Sequence, residues 1–284
     1  MTSWNGAADA PLYGEHVLLG ARFASEGTSL GAPATYGDGS SEDASFDQGC
    51  ALSDLSGMTA TLVSGKGVVA FAATVCAHHE LGVGECRFGA VLAGDGTTVS
   101  VPLLARTGDE EYLVLDPTGR GPSLPPWLCF LAGIEQGGLR PFAGVEVEDV
   151  SDALVPLLVW GRQANAILGD YVASADELPA AGHVANVSLD RIACLLVAPP
   201  GTGHPCHLAL VPPAAARVLW RSLLSFPVMD PVGTCALAGR ACATFPWVAS
   251  LRAGEHLRHA ADDLLLWELV RPQGGYVGAR ALGL

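Results

Sequence analysis

Short apolar runs broken by glycine turns dominate the first half of the chain. Residues 60–63, 87–93, 99–106 and 112–115 are apolar stretches separated by Gly65-Lys66-Gly67, Gly94-Asp95-Gly96 and Thr107-Gly108-Asp109. Runs of this length bounded by glycine read as strands and turns, and the middle two are expected to form a hairpin across Gly94-Asp95-Gly96. Residues 68–76 instead carry Ala and Phe at helical spacing. A second helix is expected over 214–225, behind Pro212-Pro213, with Ala215, Val218, Leu219 and Leu223 on one face. Proline suits a helix start because the first N–H groups have no helical partner to lose.

The second half repeats the order. A strand over 154–160 leads through Gly161-Arg162-Gln163-Ala164 into a short helix and returns in strands over 191–197 and 207–211. In both halves strands precede a glycine turn and a helix, which points to an internal structural duplication. Residues 117–141, rich in Pro and Gly, are the expected connection between lobes 1–116 and 142–284. The fold class expected is α+β, two related lobes of mixed strands and short helices.

Composition narrows the function classes. With half of its 284 residues apolar the chain buries a substantial core. Fifteen basic against 29 acidic residues give a net charge of −14, which repels polyanions, so nucleic acid is not an expected partner. No stretch reaches the roughly 18 uninterrupted apolar residues of a membrane span. The N-terminus, with Asn5 and Asp9, lacks the basic start and apolar core of a secretory signal, and the expected location is cytoplasmic. The eight cysteines contain no C-x-x-C pair and are expected as reduced, mostly buried thiols.

Candidate chemistry is sparse by motif. His78-His79-Glu80 lies near Cys76 and Cys86, but the spacing matches no standard zinc pattern. His204-Pro205-Cys206-His207 reads as a turn entering a strand, where alternate side chains face opposite ways. Gly201-Thr202-Gly203 lacks the lysine and hydroxyl residue of a phosphate loop, and no Gly-x-Ser-x-Gly element supports a hydrolase. No metal site is expected.

Leu12, Glu15-His16, Leu19-Gly20-Ala21-Arg22, Pro33, Tyr36-Gly37, Glu42 and Asp54-Leu55-Ser56-Gly57-Met58 stand in an order that resembles the folate-binding domain of the glycine-cleavage T-protein (aminomethyltransferase) family. Thr202-Gly203, Pro231-Val232-Gly233 and the stretch 275–282 extend the resemblance over nearly the whole chain. It stops where full-length members continue into a C-terminal β-barrel domain. The resemblance implies a duplicated α+β folate-binding domain, tetrahydrofolate as cofactor, and transfer of a methyl or aminomethyl group from a small donor to N5 of folate. It also implies the site residues Met58, Ser100, Val101, Asp116 and His204. Ser100-Val101 stand where the family carries an aspartate pair, which puts Ser100 at the catalytic position. Asp116 stands where an asparagine ends a strand, and His204 where a glutamate contacts the pterin ring. These departures keep two other readings open. One is a non-catalytic folate-binding or assembly module whose barrel comes from a homodimer or a partner chain; the other is the same fold with a different ligand. Arg22, Arg87 and Arg106 are expected to form a basic patch that offsets the acidic charge.

Overall fold

The computed structural model describes residues 10–23, 32–37, 39–135, 137–251 and 254–284. Asn5 and Asp9 lie outside them. Along the chain, helices α1 (Tyr13–Leu18) and α2 (Gly39–Gln48) precede strand β1 (Cys50–Asp54). A first series follows as β2 (Thr59–Gly65), α3 (Val68–Val75), β3 (Cys86–Phe88), β4 (Val91–Leu92), β5 (Thr98–Ser100), β6 (Leu103–Gly108), β7 (Glu111–Asp116), α4 (Leu124–Ala132) and β8 (Val145–Asp149). A second runs β9 (Val155–Trp160), α5 (Ala164–Gly169), β10 (His183–Leu189), β11 (Ile192–Ala198), β12 (Cys206–Val211), α6 (Pro213–Leu223) and β13 (Met229–Pro231), before α7 (Thr234–Thr244). Among the described residues no helix is long and apolar enough to cross a membrane.

The chain forms two compact units, and each is made of two segments. The first takes residues 1–58 and 151–245, the second 59–150 and 246–284. The lobe limits expected from the sequence, at 116 and 142, therefore differ from the points where the chain passes between units. The 117–141 stretch also holds α4, whose Leu124, Leu128 and Leu131 recur at helical spacing and join the core of the second unit. It is more than a connection.

The duplication is visible in the sheets. The second unit carries a five-stranded antiparallel sheet in the order β3-β6-β7-β2-β8, and the first a six-stranded sheet in the order β10-β11-β12-β9-β1-β13. If β4 and β5, which form a two-stranded sheet of their own, are set aside, both series place their second, third, fourth and first strands side by side and end on the fifth. The difference is β1, which enters between β9 and β13, antiparallel to the former and parallel to the latter. In each unit the series' helices cover the core: Phe71, Leu124 and Leu128 in the second, Ile167, Leu219 and Trp220 in the first.

Two expected strands divide. The run 87–93 splits into β3 and β4, and the run 99–106 into β5 and β6, with each pair of pieces in different sheets. The breaks fall near Gly89 and Pro102, where Pro102 has no N–H for a ladder and its carbonyl accepts from Gly89 N at 3.2 Å. The expected face of α6 is also rotated. Ala216, Leu219, Trp220 and Leu223 are buried, whereas Val218 is 63% exposed, because the stripe that includes the large indole removes more apolar surface from water.

Glycine is required where backbones meet. A Cβ on Gly233 would stand 2.2 Å from Ala34 O, so only hydrogen lets the loop before α7 pass that segment. By contrast, the two-residue turn joining β10 to β11 holds Asp190 at φ 43° and Arg191 at φ 70°, both left-handed. A turn with two positive φ angles favours Asn-Gly. We expect Arg191→Gly to raise unfolding free energy by about 0.5–1 kcal/mol in urea titration; a loss of stability would show that the arginine side chain outweighs its backbone strain.

Candidate functional site

Ser100 ends β5 and Asp116 ends β7, and the structure joins them. The Ser100 hydroxyl donates to Asp116 Oδ2, while Asp116 Oδ1 accepts from Thr118 N at 2.8 Å. Both side chains belong to residues with no exposed surface, and neighbouring Val101 is also buried. Burial pushes the Asp116 carboxyl above its ordinary 3.8, against the opposing pull of hydrogen bonds from Ser100 and Thr118 and of the Arg120 charge. Arg120 Nε and Nη2 donate to Val99 O and Thr98 O at 2.5 and 3.0 Å, and Nη1 to Glu255 O at 2.8 Å. Its guanidinium thus holds the strand that presents Ser100. Thr98, Val99 and Arg120 also line a cleft of about 470 Å³.

A second polar construction lies in the first unit, on the residues that carry the family resemblance. Tyr36 Oη and His16 Nδ1 are 2.7 Å apart, and His16 Nε2 is 2.9 Å from Asp54 Oδ2. Asp54 Oδ1 then accepts from Ser56 N and Ser56 Oγ at 2.8 and 2.7 Å. In the neutral ring this sequence puts the proton on Nε2, donating to the carboxyl, with the tyrosine hydroxyl donating into Nδ1. His16 has no exposed surface, and Trp220 meets its ring edge-on at 5.0 Å. The Asp54 bonds shape the turn that follows: Met58 N donates to Leu55 O at 2.8 Å, and Gly57 adopts φ 91°. Met58 is therefore set by the Tyr36–His16–Asp54 chain and is itself buried.

Two more buried acids tie this region together. Glu42 accepts from Tyr36 N at 2.8 Å and from Gly233 N at 2.7 Å, across 191 positions of sequence. Glu15 takes both Arg221 Nε and Nη2, at 2.7 and 2.8 Å, and the Arg221 bonds hold its carboxyl below the usual range despite burial.

His204 stands on a different turn of the first unit. Its Nε2 is 3.0 Å from Asp47 Oδ1, which also accepts from Arg240 Nη2 at 3.1 Å. The Arg240 guanidinium lies 5.5 Å over the Phe46 ring and 5.6 Å over that of Trp160, a stacked arginine rather than a mobile one. The Arg240 bonds hold the Asp47 carboxyl below its ordinary value.

Of the residues expected from sequence, Ser100, Val101 and Asp116 come together in the second unit, while Met58 and His204 occupy separate turns of the first. The chain Tyr36–His16–Asp54 was not anticipated as a site, although each member lies in the quoted motif. The expected basic patch is not assembled from bare cations: Arg87 faces Glu268 at 3.7 Å, and Arg106 donates to Leu81 O and Asp109 O at 2.8 and 3.1 Å. Among the described residues no group of three or more His, Cys, Asp or Glu is placed to hold a metal ion.

Two measurements follow. His16→Ala removes the partner of a buried carboxyl and of a buried hydroxyl, and should cost about 3 kcal/mol of unfolding free energy; a change within about 0.5 kcal/mol would mean water replaces the ring. For Asp116 the folded value is raised, so its stabilising contribution is complete below 3.8 and is lost as pH rises through the folded value. Asp116→Asn should therefore gain in Tm relative to wild type as pH rises above 3.8, and a gap that stays constant would contradict the burial effect.

The sequence matches the family described as GCVT N-terminal domain over residues 12–241. No curated protein matches the chain. The structure is similar to the crystal structure of glycine cleavage system aminomethyltransferase T from Bartonella henselae, with a TM-score of 0.75 and 20% identity, covering 99% of this chain and 74% of that one. At that identity the likeness is one of fold. A heterotetrameric sarcosine oxidase from Corynebacterium sp. U-96, in complex with pyrrole 2-carboxylate, aligns with a TM-score of 0.45 and 18% identity, over 66% of this chain and 89% of that one.

Proposed function

We propose, from the premise that this chain belongs to the GCVT N-terminal domain family, that it is a tetrahydrofolate-dependent one-carbon transferase in which Asp116 supplies the carboxyl group that Ser100 no longer carries. The observation behind this reading is the bond from the Ser100 hydroxyl to Asp116 Oδ2. The resemblance puts an aspartate pair at 100–101 and an asparagine at 116. Here a hydroxyl stands at the first position and a carboxyl at 116, and the two side chains touch. The carboxyl has changed strands without leaving its neighbour.

The chemistry suits a reduced folate. Asp116 accepts from the Ser100 hydroxyl and from the amide and side chain of Thr118, and a carboxylate offers about four acceptor sites in all, which leaves room for an N–H group. A buried carboxyl with a raised pKa holds a proton nearer to neutrality, which suits a group that orients a reacting N–H and takes up the proton the nitrogen sheds as it accepts the one-carbon group. Tetrahydrofolate, when bound, supplies the nitrogen that accepts a methyl or aminomethyl group from a small donor. Ser100 fixes the carboxyl rotamer, Val101 excludes water beside it, and Arg120 braces β5 from the cleft side. The eight free cysteines fit the reducing cytoplasm in which we place the protein.

A second reading rests on one fact: neither Ser100 nor Asp116 has exposed surface. If that seal persists, the pair is structural and the chain is a folate-binding or assembly module without turnover, completed by a second copy or a partner chain.

Isothermal titration with tetrahydrofolate, followed by a turnover assay with methyl and aminomethyl donors, separates the readings. The transferase reading expects micromolar binding, turnover, and a loss of about tenfold or more in rate for Asp116→Asn. Binding without turnover, unchanged in the variant, would support the module. No detectable binding by folded protein would overturn both.

A further inference from the structure

β8 is the outer strand of the five-stranded sheet. Its pairing with β2 fixes which backbone groups face inward. Val150 N donates to Ala60 O at 2.8 Å, so in the antiparallel ladder Glu148 and Glu146 turn their N–H and C=O toward β2 while Val147 turns its own away. Side chains alternate in the same rhythm. Val145 and Val147 pack toward the core, and with Cys129, Ala132 and Phe142 they line a cleft of about 300 Å³ beside α4. Glu146 and Glu148, on the opposite face of the strand, are exposed.

We propose that this edge is a docking strand for a partner protein whose extended segment alternates basic and apolar residues. The outward backbone of Val147 supplies the hydrogen bonds of strand addition. Apolar side chains of the added strand fall on the cleft face, and the alternate ones meet Glu146 and Glu148, where opposite charges stabilise cross-strand pairs. Charge also decides the occupant. A second copy would bring its own Glu146 and Glu148 to the edge, like against like, within a chain of net charge −14. Arg140 at the cleft is paired with Glu135 at 3.1 Å and sets no bare positive charge against a basic segment. Charges guard edge strands against promiscuous pairing. Here Glu146 and Glu148 share one face, while the cleft face carries Val145 and Val147 with Asp149 only at the strand's end, which selects for a basic strand and leaves the apolar cleft for its other face.

Cys129 gives a direct readout, because its thiol is exposed at the cleft, while exposed Cys235 and Cys242 lie on the other unit as internal controls. The full chain is alkylated with iodoacetamide in the presence of a blocked heptapeptide of alternating lysine and valine, and each cysteine is followed by mass spectrometry. The expected result is a slowing at Cys129 of roughly tenfold at saturation, with the other two unchanged. A block-sequence peptide of the same composition should not protect. Val147→Pro deletes an N–H that no strand within the sheet uses, a change tolerated at a sheet edge, and should abolish protection; so should Glu146→Lys with Glu148→Lys. If the proline variant does not fold by circular dichroism, the charge-reversed variant carries the test alone. Protection that is absent, equal with the block peptide, or retained in the folded variants would overturn the proposal. Self-association of the peptide-free protein that Val147→Pro removes would also overturn it, by making a second copy the occupant.

Discussion

A carboxyl group taken out of water must be given donors, and among the described residues four are buried. Glu15, Glu42, Asp54 and Asp116 are each at most 7% exposed. An unpaired charge in such places is among the costliest features a fold can hold, so the surrounding chain is arranged to meet them. Glu15 brings α1 to α6 through Arg221. Glu42 collects the amides of Tyr36, Gly37 and Gly233 and so joins α2, the 35–37 segment and the start of α7. Asp54 closes on His16 and shapes the turn to Met58. Asp116 takes a hydroxyl and an amide, and burial outweighs them, so its carboxyl stands above its ordinary value. The same requirement thus fixes the local structure around each of the four.

Much of this was legible because the acids lie in short motifs. Glu15-His16, Tyr36-Gly37, Glu42 and Asp54-Leu55-Ser56 mark the family resemblance and turn out to be the polar scaffold of the first unit. Their bonds to one another were not legible: the Glu42–Gly233 contact joins residues 191 apart, and no local pattern encodes such a pairing. The strand runs at 60–63 and 112–115 were found because glycine turns frame them. The runs at 87–93 and 99–106 were read as single strands because a continuous apolar stretch carries no mark of changing sheets. β8 went unread, although Val145-Glu146-Val147-Glu148 alternates with the period of a strand.

In the proposed reading a site has changed at Ser100 and Asp116 while its neighbourhood persists. Read singly, Ser100 is a lost carboxyl and Asp116 a charged replacement for an amide. Read together they are a reciprocal change across one hydrogen bond, and the chemistry at that point depends on the pair. Sequence comparison position by position scores two departures where the folded chain makes one contact.

The insertion of β1 between β9 and β13 has a consequence for the order in which the protein comes into being. Cys50 lies opposite Met229, so the N-terminal strand waits for some 180 further residues before both of its neighbours exist. The five-stranded sheet, drawn wholly from residues 59–149, is complete long before that. On a ribosome, where chains emerge N-terminus first and closing a longer loop carries a larger entropic cost, a strand made early waits for one made late to close its second edge. Until β9 emerges at residues 155–160 the apolar residues of β1, Cys50, Ala51 and Leu52, have no strand to pair with, and even then a nascent chain of this protein carries one edge of β1 open until β13 is made.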